Sequence, residues 1–137
     1  MKVLKITGGS AKPQAMGGFK QSRWSGSKQL WWTGGKNGDV LTLALPVEAK
    51  GNYSLKAVLT KARDYGIVEV SLDGKPLPDG KLDLFNAPEV ITSGELDWGT
   101  HELDKGEHKL EVKITGSNPK ADPRQMFGLD YVKLEKK

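Results

Sequence analysis

Short apolar runs broken at regular intervals by glycine and proline constrain this chain most. Seventeen glycines and seven prolines fall between runs too short for helices, and no stretch keeps a helical period. Residues 52–60 (NYSLKAVLT) place Tyr53, Leu55, Ala57 and Leu59 on one face, with Ser54, Lys56 and Thr60 on the other. Residues 67–72 alternate Val68, Val70 and Leu72 against Ile67, Glu69 and Ser71, and Asp73-Gly74 supplies a tight hairpin turn. Residues 108–115 alternate Leu110, Val112 and Ile114 against Lys109, Glu111 and Lys113. A period of two means a half-wet strand. Further strands are expected at 2–7, 15–20, 29–33, 39–45, 82–85, 90–92 and 127–134, with a single helical turn at most, over 119–124. Such short strands predict an all-β domain, a two-sheet β-sandwich of the jelly-roll type. The first and last strands are expected at the domain's margins, where terminal strands of a jelly roll can pair.

Length agrees with one domain spanning 1–137. Without cysteine, disulfides and thiolate metal sites are excluded. No apolar run reaches the roughly 18 residues of a membrane span. The opening MKVLKITGGS is too short and too polar for a signal peptide. The net charge of +4 comes from singly scattered lysines and arginines. That pattern reads as a solvated surface, and no nucleic-acid partner is expected.

Motifs for chemistry are sparse. His101 and His108 stand apart without carboxylates at zinc-site spacing. No serine sits in a nucleophile elbow. Thr33-Gly34-Gly35 precedes a strand, so it makes no phosphate cradle. No carboxylate pair stands out for glycoside hydrolysis. The chain reads as a non-enzyme.

The aromatics say more. Trp31 and Trp32 are adjacent, and neighbours on a strand face opposite ways. One belongs to the core, while the other faces outward or covers a hydrophobic layer. An exposed indole suits the flat C–H face of a sugar ring. Tyr65 lies in a loop between two firm strands, beside Arg63 and Asp64, which offer donors and acceptors for hydroxyls. The competing reading is a surface Arg63–Asp64 pair with Tyr65 capping the core. Asn86 and the Arg124-Gln125 pair before the last strand complete the candidate set. Trp24 and Trp98, near turns, read as lids on the sandwich.

The ordered blocks WSGSKQLWWTGGKNGDVLTLALPV, GNYSLKAVLTKARDYGIVEVSLDG, DLFN, GEHKLEVKITGSNPKA and MFGLDYVKL span most of the chain. They resemble the C-terminal accessory β-sandwich domain of bacterial proteins in domain-of-unknown-function family 2961, whose catalytic part is grouped with glycoside hydrolase family 172. More distantly, the plan is similar to jelly-roll carbohydrate-binding modules of families 6 and 35, with a galactose-binding-like fold. The resemblance implies a polysaccharide-binding module with no chemistry of its own. On the same resemblance it would belong to an extracellular or periplasmic parent protein that supplies the signal peptide and a catalytic partner domain. The alternative it leaves is a structural domain packed on that catalytic domain or mediating oligomerisation. By position, the resemblance makes Trp32 or Tyr65 the aromatic platform and Gln125 the polar residue beside it. It also implies a structural calcium, to which Asp130 would contribute. The acidic residues expected near the first strand are missing, since KVLKITGGSAKPQ contains no carboxylate.

Overall fold

A computed structural model describes residues 2–17, 24 and 28–137. Ten strands follow in order: β1 (Val3–Ile6), β2 (Ser10–Ala15), β3 (Lys28–Thr33), β4 (Val40–Val47), β5 (Gly51–Lys61), β6 (Ile67–Leu72), β7 (Lys75–Asp83), β8 (Ile91–Leu103), β9 (Gly106–Gly116) and β10 (Phe127–Lys136). They form two five-stranded sheets, ordered β1-β4-β9-β6-β7 and β2-β3-β10-β5-β8. Every pairing within the sheets is antiparallel. The expected jelly-roll sandwich is the observed fold, and the described residues contain no helix.

Alternation builds the core. Leu41, Leu43, Leu45 and Val47 of β4, with Leu110, Val112 and Ile114 of β9, point inward from one sheet. Leu55, Ala57 and Leu59 of β5 and Phe127 and Leu129 of β10 meet them from the other. Trp32 and Trp98, each 1% exposed, are the bulkiest members. The Asp73-Gly74 turn has both residues at positive φ (50° and 83°), as a two-residue hairpin requires.

Several boundaries depart from the sequence expectation. The strand expected at 15–20 lies earlier, as β2, while 18–20 fall outside the described residues. Ser10, Lys12 and Gln14 hide its alternation, and Pro13 is tolerated because β2 is an edge strand. The same reasoning explains β7, which contains Pro76 and Pro78 and forms the edge of its sheet. The strand β8 runs thirteen residues where three were expected. Gly94 and Gly99, both at positive φ, imitate turns in the sequence, and the pairing with β5 shifts register twice around them. Trp98 is therefore a core residue on a strand, not a lid. Residues 119–124 form turns without a helix. The terminal strands do not pair: β1 flanks β4, while β10 occupies the centre of the other sheet between β3 and β5. Phe127 and Leu129 need cover on both sides, which a marginal position would not give.

A close approach joins the two sheets at one end. Gly9 sits at φ 77°, and a Cβ there would lie 2.1 Å from the Thr33 carbonyl oxygen. The β1–β2 turn thereby rests directly on the backbone that leaves β3. Nearby, Trp32 Nε1 donates to the Gly8 carbonyl at 2.9 Å, fixing the indole across this junction.

At the other end, His108 bridges two turns. Its Nδ1 lies 2.6 Å from Asp73 Oδ2 and its Nε2 lies 2.7 Å from the Asp104 carbonyl. The Asp104 carbonyl, then the Asp73 carboxylate, hold the imidazole above the usual histidine range. Partial burial acts to raise the Asp73 carboxyl. Hydrogen bonds from His108 and from the Lys109 amide outweigh it, leaving that carboxyl below its usual range.

Two outcomes follow. Among the described residues the buried Trp98 Nε1 has no acceptor, so Trp98→Phe removes an unsatisfied donor together with some packing. Its stability in urea is expected to stay within about 1 kcal/mol of the unmodified protein, whereas Trp32→Phe also loses the bond to Gly8 and costs about 2–4 kcal/mol. The His108–Asp73 pair stabilises fully between about pH 3.9 and about pH 6.5, the unfolded values of the two groups. Its contribution disappears as pH rises through the raised His108 value, or falls through the lowered Asp73 value. Because Asp73 is partly solvated the effect is about 1 kcal/mol or less. His108→Asn is expected to melt below the unmodified protein at pH 5.5 and to approach it at pH 9.

Candidate functional site

Strand β3 carries two faces. Trp32 points inward, and on the outer face stand Gln29 and Trp31. In register, Trp31 lies opposite Lys12 of β2 on one side and Gly128 of β10 on the other. The Lys12 ammonium sits 5.7 Å from the centre of the Trp31 ring, a cation–π contact. Gly128 leaves no side chain to crowd the face. A Cβ there would lie 2.2 Å from Gln29 Oε1, so this position is kept small by the side chain beside it.

Gln29 is the hub of a buried polar network outside the main core. It is 3% exposed, and its Nε2 donates to Gln14 Oε1 at 2.7 Å and to Tyr65 Oη at 2.9 Å. Its Oε1 accepts from Thr60 Oγ1. Thr60 Oγ1 in turn accepts from Trp24 Nε1 at 2.7 Å. Each bond offsets the desolvation of a neighbour, so the network fixes β3, β5 and the 62–66 loop relative to one another.

The loop before β10 is welded to the 62–66 loop by backbone bonds. Asp122 N donates to Arg63 O at 2.8 Å, Met126 N to Asp64 O at 3.0 Å, and Gly66 N to Met126 O at 3.0 Å. Between these loops and Trp31 lie two hollows. The larger, about 440 Å³, is lined by Trp31, Thr33, Gly34, Gly35, Lys36 and residues 123–126. The smaller, about 180 Å³, includes Trp31, Gln14, Asp64, Tyr65 and Arg124 in its lining. Trp31, Arg124 and Met126 are common to both and form the ridge between them.

Among the candidates, Trp31, Asp64, Tyr65, Arg124 and Gln125 therefore converge on one end of the sandwich. Their roles differ from the expectation in three respects. Trp32 is buried and hydrogen-bonded to Gly8, so it is no platform. Tyr65 is 4% exposed, with its hydroxyl accepting from Gln29; burial pushes its phenol well up, and it forms floor instead of platform. Gln125, at φ 48°, donates its amide to Asn37 Oδ1, and so holds the loop as well as lining the hollow.

Two candidates, Arg63 and Asn86, line neither hollow. Arg63 is exposed and contributes its carbonyl to the loop weld. Asn86 Nδ2 donates to the Glu89 carbonyl at 2.7 Å, closing its own loop. Arg124 is 73% exposed along its side chain and lies 4.0 Å from Asp64, a loose ion pair.

Asp130 is half-buried on β10, at the register break between Leu129 and Tyr131. Among the described residues no three His, Cys, Asp or Glu side chains gather to hold a metal ion. The undescribed positions contain no carboxylate at all. This donor set does not fit a calcium ion, which takes six to eight oxygen ligands, several of them carboxylate.

The sequence reading missed Lys12, Gln14, Gln29, Lys36 and Met126. Only the pairing of β2 with β3 brings Lys12 and Gln14 here, and two strands' register is invisible in a single alternation pattern.

No family model and no curated protein matches this chain. Solved structures do. A xanthan lyase from Paenibacillus matches at a TM-score of 0.79 with 20% identity, over 98% of this chain and 12% of its own. The C-terminal family 6 carbohydrate-binding module of a marine laminarinase from Zobellia galactanivorans matches at 0.53 with 14% identity, over 98% and 93%. A family 35 carbohydrate-binding module from Clostridium thermocellum matches at 0.55 with 11% identity, over 97% and 92%. The chain thus spans about an eighth of the lyase but nearly the whole of each module. At these identities the likeness concerns the fold, and the fold is the jelly-roll sandwich shared with these family 6 and family 35 modules.

Proposed function

We propose that this single domain, 1–137, is a non-catalytic carbohydrate-binding module that takes a polysaccharide on Trp31, between the loops preceding β4 and β10. The observation that carries the reading is the Trp31 ridge. A partly exposed indole stands between two hollows, with Arg124, Gln125, Asp64 and Thr33 around it. A partly exposed indole flanked by donors and acceptors meets both needs of a sugar, an apolar C–H face and a ring of hydroxyls. The welded loops present this arrangement without further ordering, which limits the entropy cost of binding. The fold shared with family 6 and family 35 modules supports the same reading.

The module fits an accessory role in a larger extracellular or periplasmic protein. The likeness to a segment of a much longer lyase favours this setting. That likeness, at 0.79 against 0.53 and 0.55 for the separate modules, also favours a second reading. In it the domain packs on a catalytic domain and binds no glycan.

Affinity electrophoresis through gels containing soluble neutral and acidic polysaccharides separates the two. The unmodified protein is expected to be retarded by at least one of them. Trp31→Ala is expected to run freely while losing only about 1–2 kcal/mol of stability, since its ring is half-exposed. Trp32→Ala is expected to lose about 3–5 kcal/mol through a core cavity. Free migration of the unmodified protein in every gel would transfer the conclusion to the packing reading.

A further inference from the structure

We infer that Asn37 is a site of slow self-modification, deamidation through a cyclic imide with Gly38, and that Gln125 holds the reaction in check. Asn37 is the one asparagine of the chain followed by glycine; Asn52, Asn86 and Asn118 precede Tyr53, Ala87 and Pro119. The reaction needs a backbone nitrogen that can reach the side-chain carbonyl carbon of the residue before it. A side chain on the following residue crowds that approach, and a following proline has no N–H to give up. Gly38 has neither obstacle. Asn37 and Gly38 are both exposed, Gly38 lies at φ 91°, and a Cβ there would meet nothing within 4 Å. The chemistry closes with water alone as co-reactant. The Gly38 nitrogen loses its proton to solvent and bonds to Asn37 Cγ. The Cγ–Nδ2 bond breaks, and ammonia departs from the imide. Water then opens the ring, at one carbonyl to aspartate and at the other to isoaspartate.

The fold restrains the first step at both reacting groups. Gly38 N donates to the Ile114 carbonyl at 2.8 Å, which ties the attacking nitrogen to β9. Gln125 Nε2 donates to Asn37 Oδ1, which ties the group under attack to the loop before β10. Asp39 N, donating to the Lys36 carbonyl at 2.9 Å, closes the turn around them. Ring closure has to rotate Asn37 Cγ onto the Gly38 nitrogen, and that rotation breaks the tie to Gln125. The fold therefore meters the reaction through a local opening. The product reaches beyond the turn. Isoaspartate adds a methylene to the backbone and moves the oxygen that Gln125 holds. Lys36 and Gln125 both line the larger hollow beside Trp31, so conversion at Asn37 loosens one of its walls.

The test is peptide mapping by mass spectrometry after prolonged incubation of the folded protein at mildly alkaline pH, with Gln125→Gly treated alongside. Residue 125 lies at φ 48°, a conformation that glycine adopts freely, so this variant removes the amide without straining the loop. Gln125→Asn, too short to reach Asn37 and also tolerant of positive φ, repeats the comparison if Gln125→Gly melts early. Near-ultraviolet circular dichroism verifies that each variant is folded. A gain of about 1 Da, ammonia exchanged for water, is expected at Asn37 before it is seen at Asn52, Asn86 or Asn118, with isoaspartate among the products. The folded variant is expected to convert about fivefold faster than the unmodified protein, the change in local opening that follows loss of one hydrogen bond. No conversion at Asn37 in either folded protein, or earlier conversion at another asparagine, would overturn the site. An equal or slower rate in the folded variant would overturn the restraint by Gln125.

Discussion

Two indoles on consecutive positions of one strand cannot share an environment, and much of this molecule is arranged around that fact. Burial of Trp32 between the sheets commits Trp31 to the opposite face. Trp32 is held by its bond to Gly8, and Gly8 belongs to the turn that carries the chain from one sheet to the other. The inward ring thus sets the rotation of β3, and the rotation of β3 sets where the outward ring stands. A slip of one residue in the pairing with β10 would exchange them.

Around the outward indole the protein has built a second, polar layer. Gln29 joins β3 to Thr60 of β5 and to Tyr65 of the 62–66 loop, and Trp24 closes the same network through Thr60. A hydrogen-bonded layer of this kind fixes geometry more than it adds stability. Its consequence is that Trp31, Arg124 and the two loops are positioned by a rigid frame. Gly128 serves the frame as well: the space a side chain would need is filled by Gln29.

The fold was legible because its signals are local. Alternation in residues 52–60, 67–72 and 108–115 and the Asp73-Gly74 turn correspond to β5, β6, β9 and the hairpin before β7. The losses came where an edge strand relaxes the usual rules. Pro13 and Pro76 sit in strands because, among the described residues, one side of each strand has no partner to satisfy. Gly94 and Gly99 interrupt β8 as bulges although they look like turns. The site was legible only in outline. Adjacency showed that one of Trp31 and Trp32 faces outward, but assigning which one needed the register of β3 against β2 and β10. For Tyr65 the choice between platform and core cap stayed open, because a tyrosine in a loop gives no sign of a buried glutamine on another strand. Lys12 carried no signal, since its meeting with Trp31 exists only across the β2–β3 ladder.

The account turns on Trp31 being the ring that meets a ligand. The most direct measurement follows the four tryptophan indole N–H signals by two-dimensional nitrogen–proton NMR, assigned through single Trp→Phe variants, as acidic and neutral glycan fragments are added. The expected result is a saturable shift of the Trp31 signal with at least one fragment, while the signals of buried Trp24, Trp32 and Trp98 stay in place. A shift centred on any of those three with Trp31 unmoved, or no movement of Trp31 with any glycan, would contradict it.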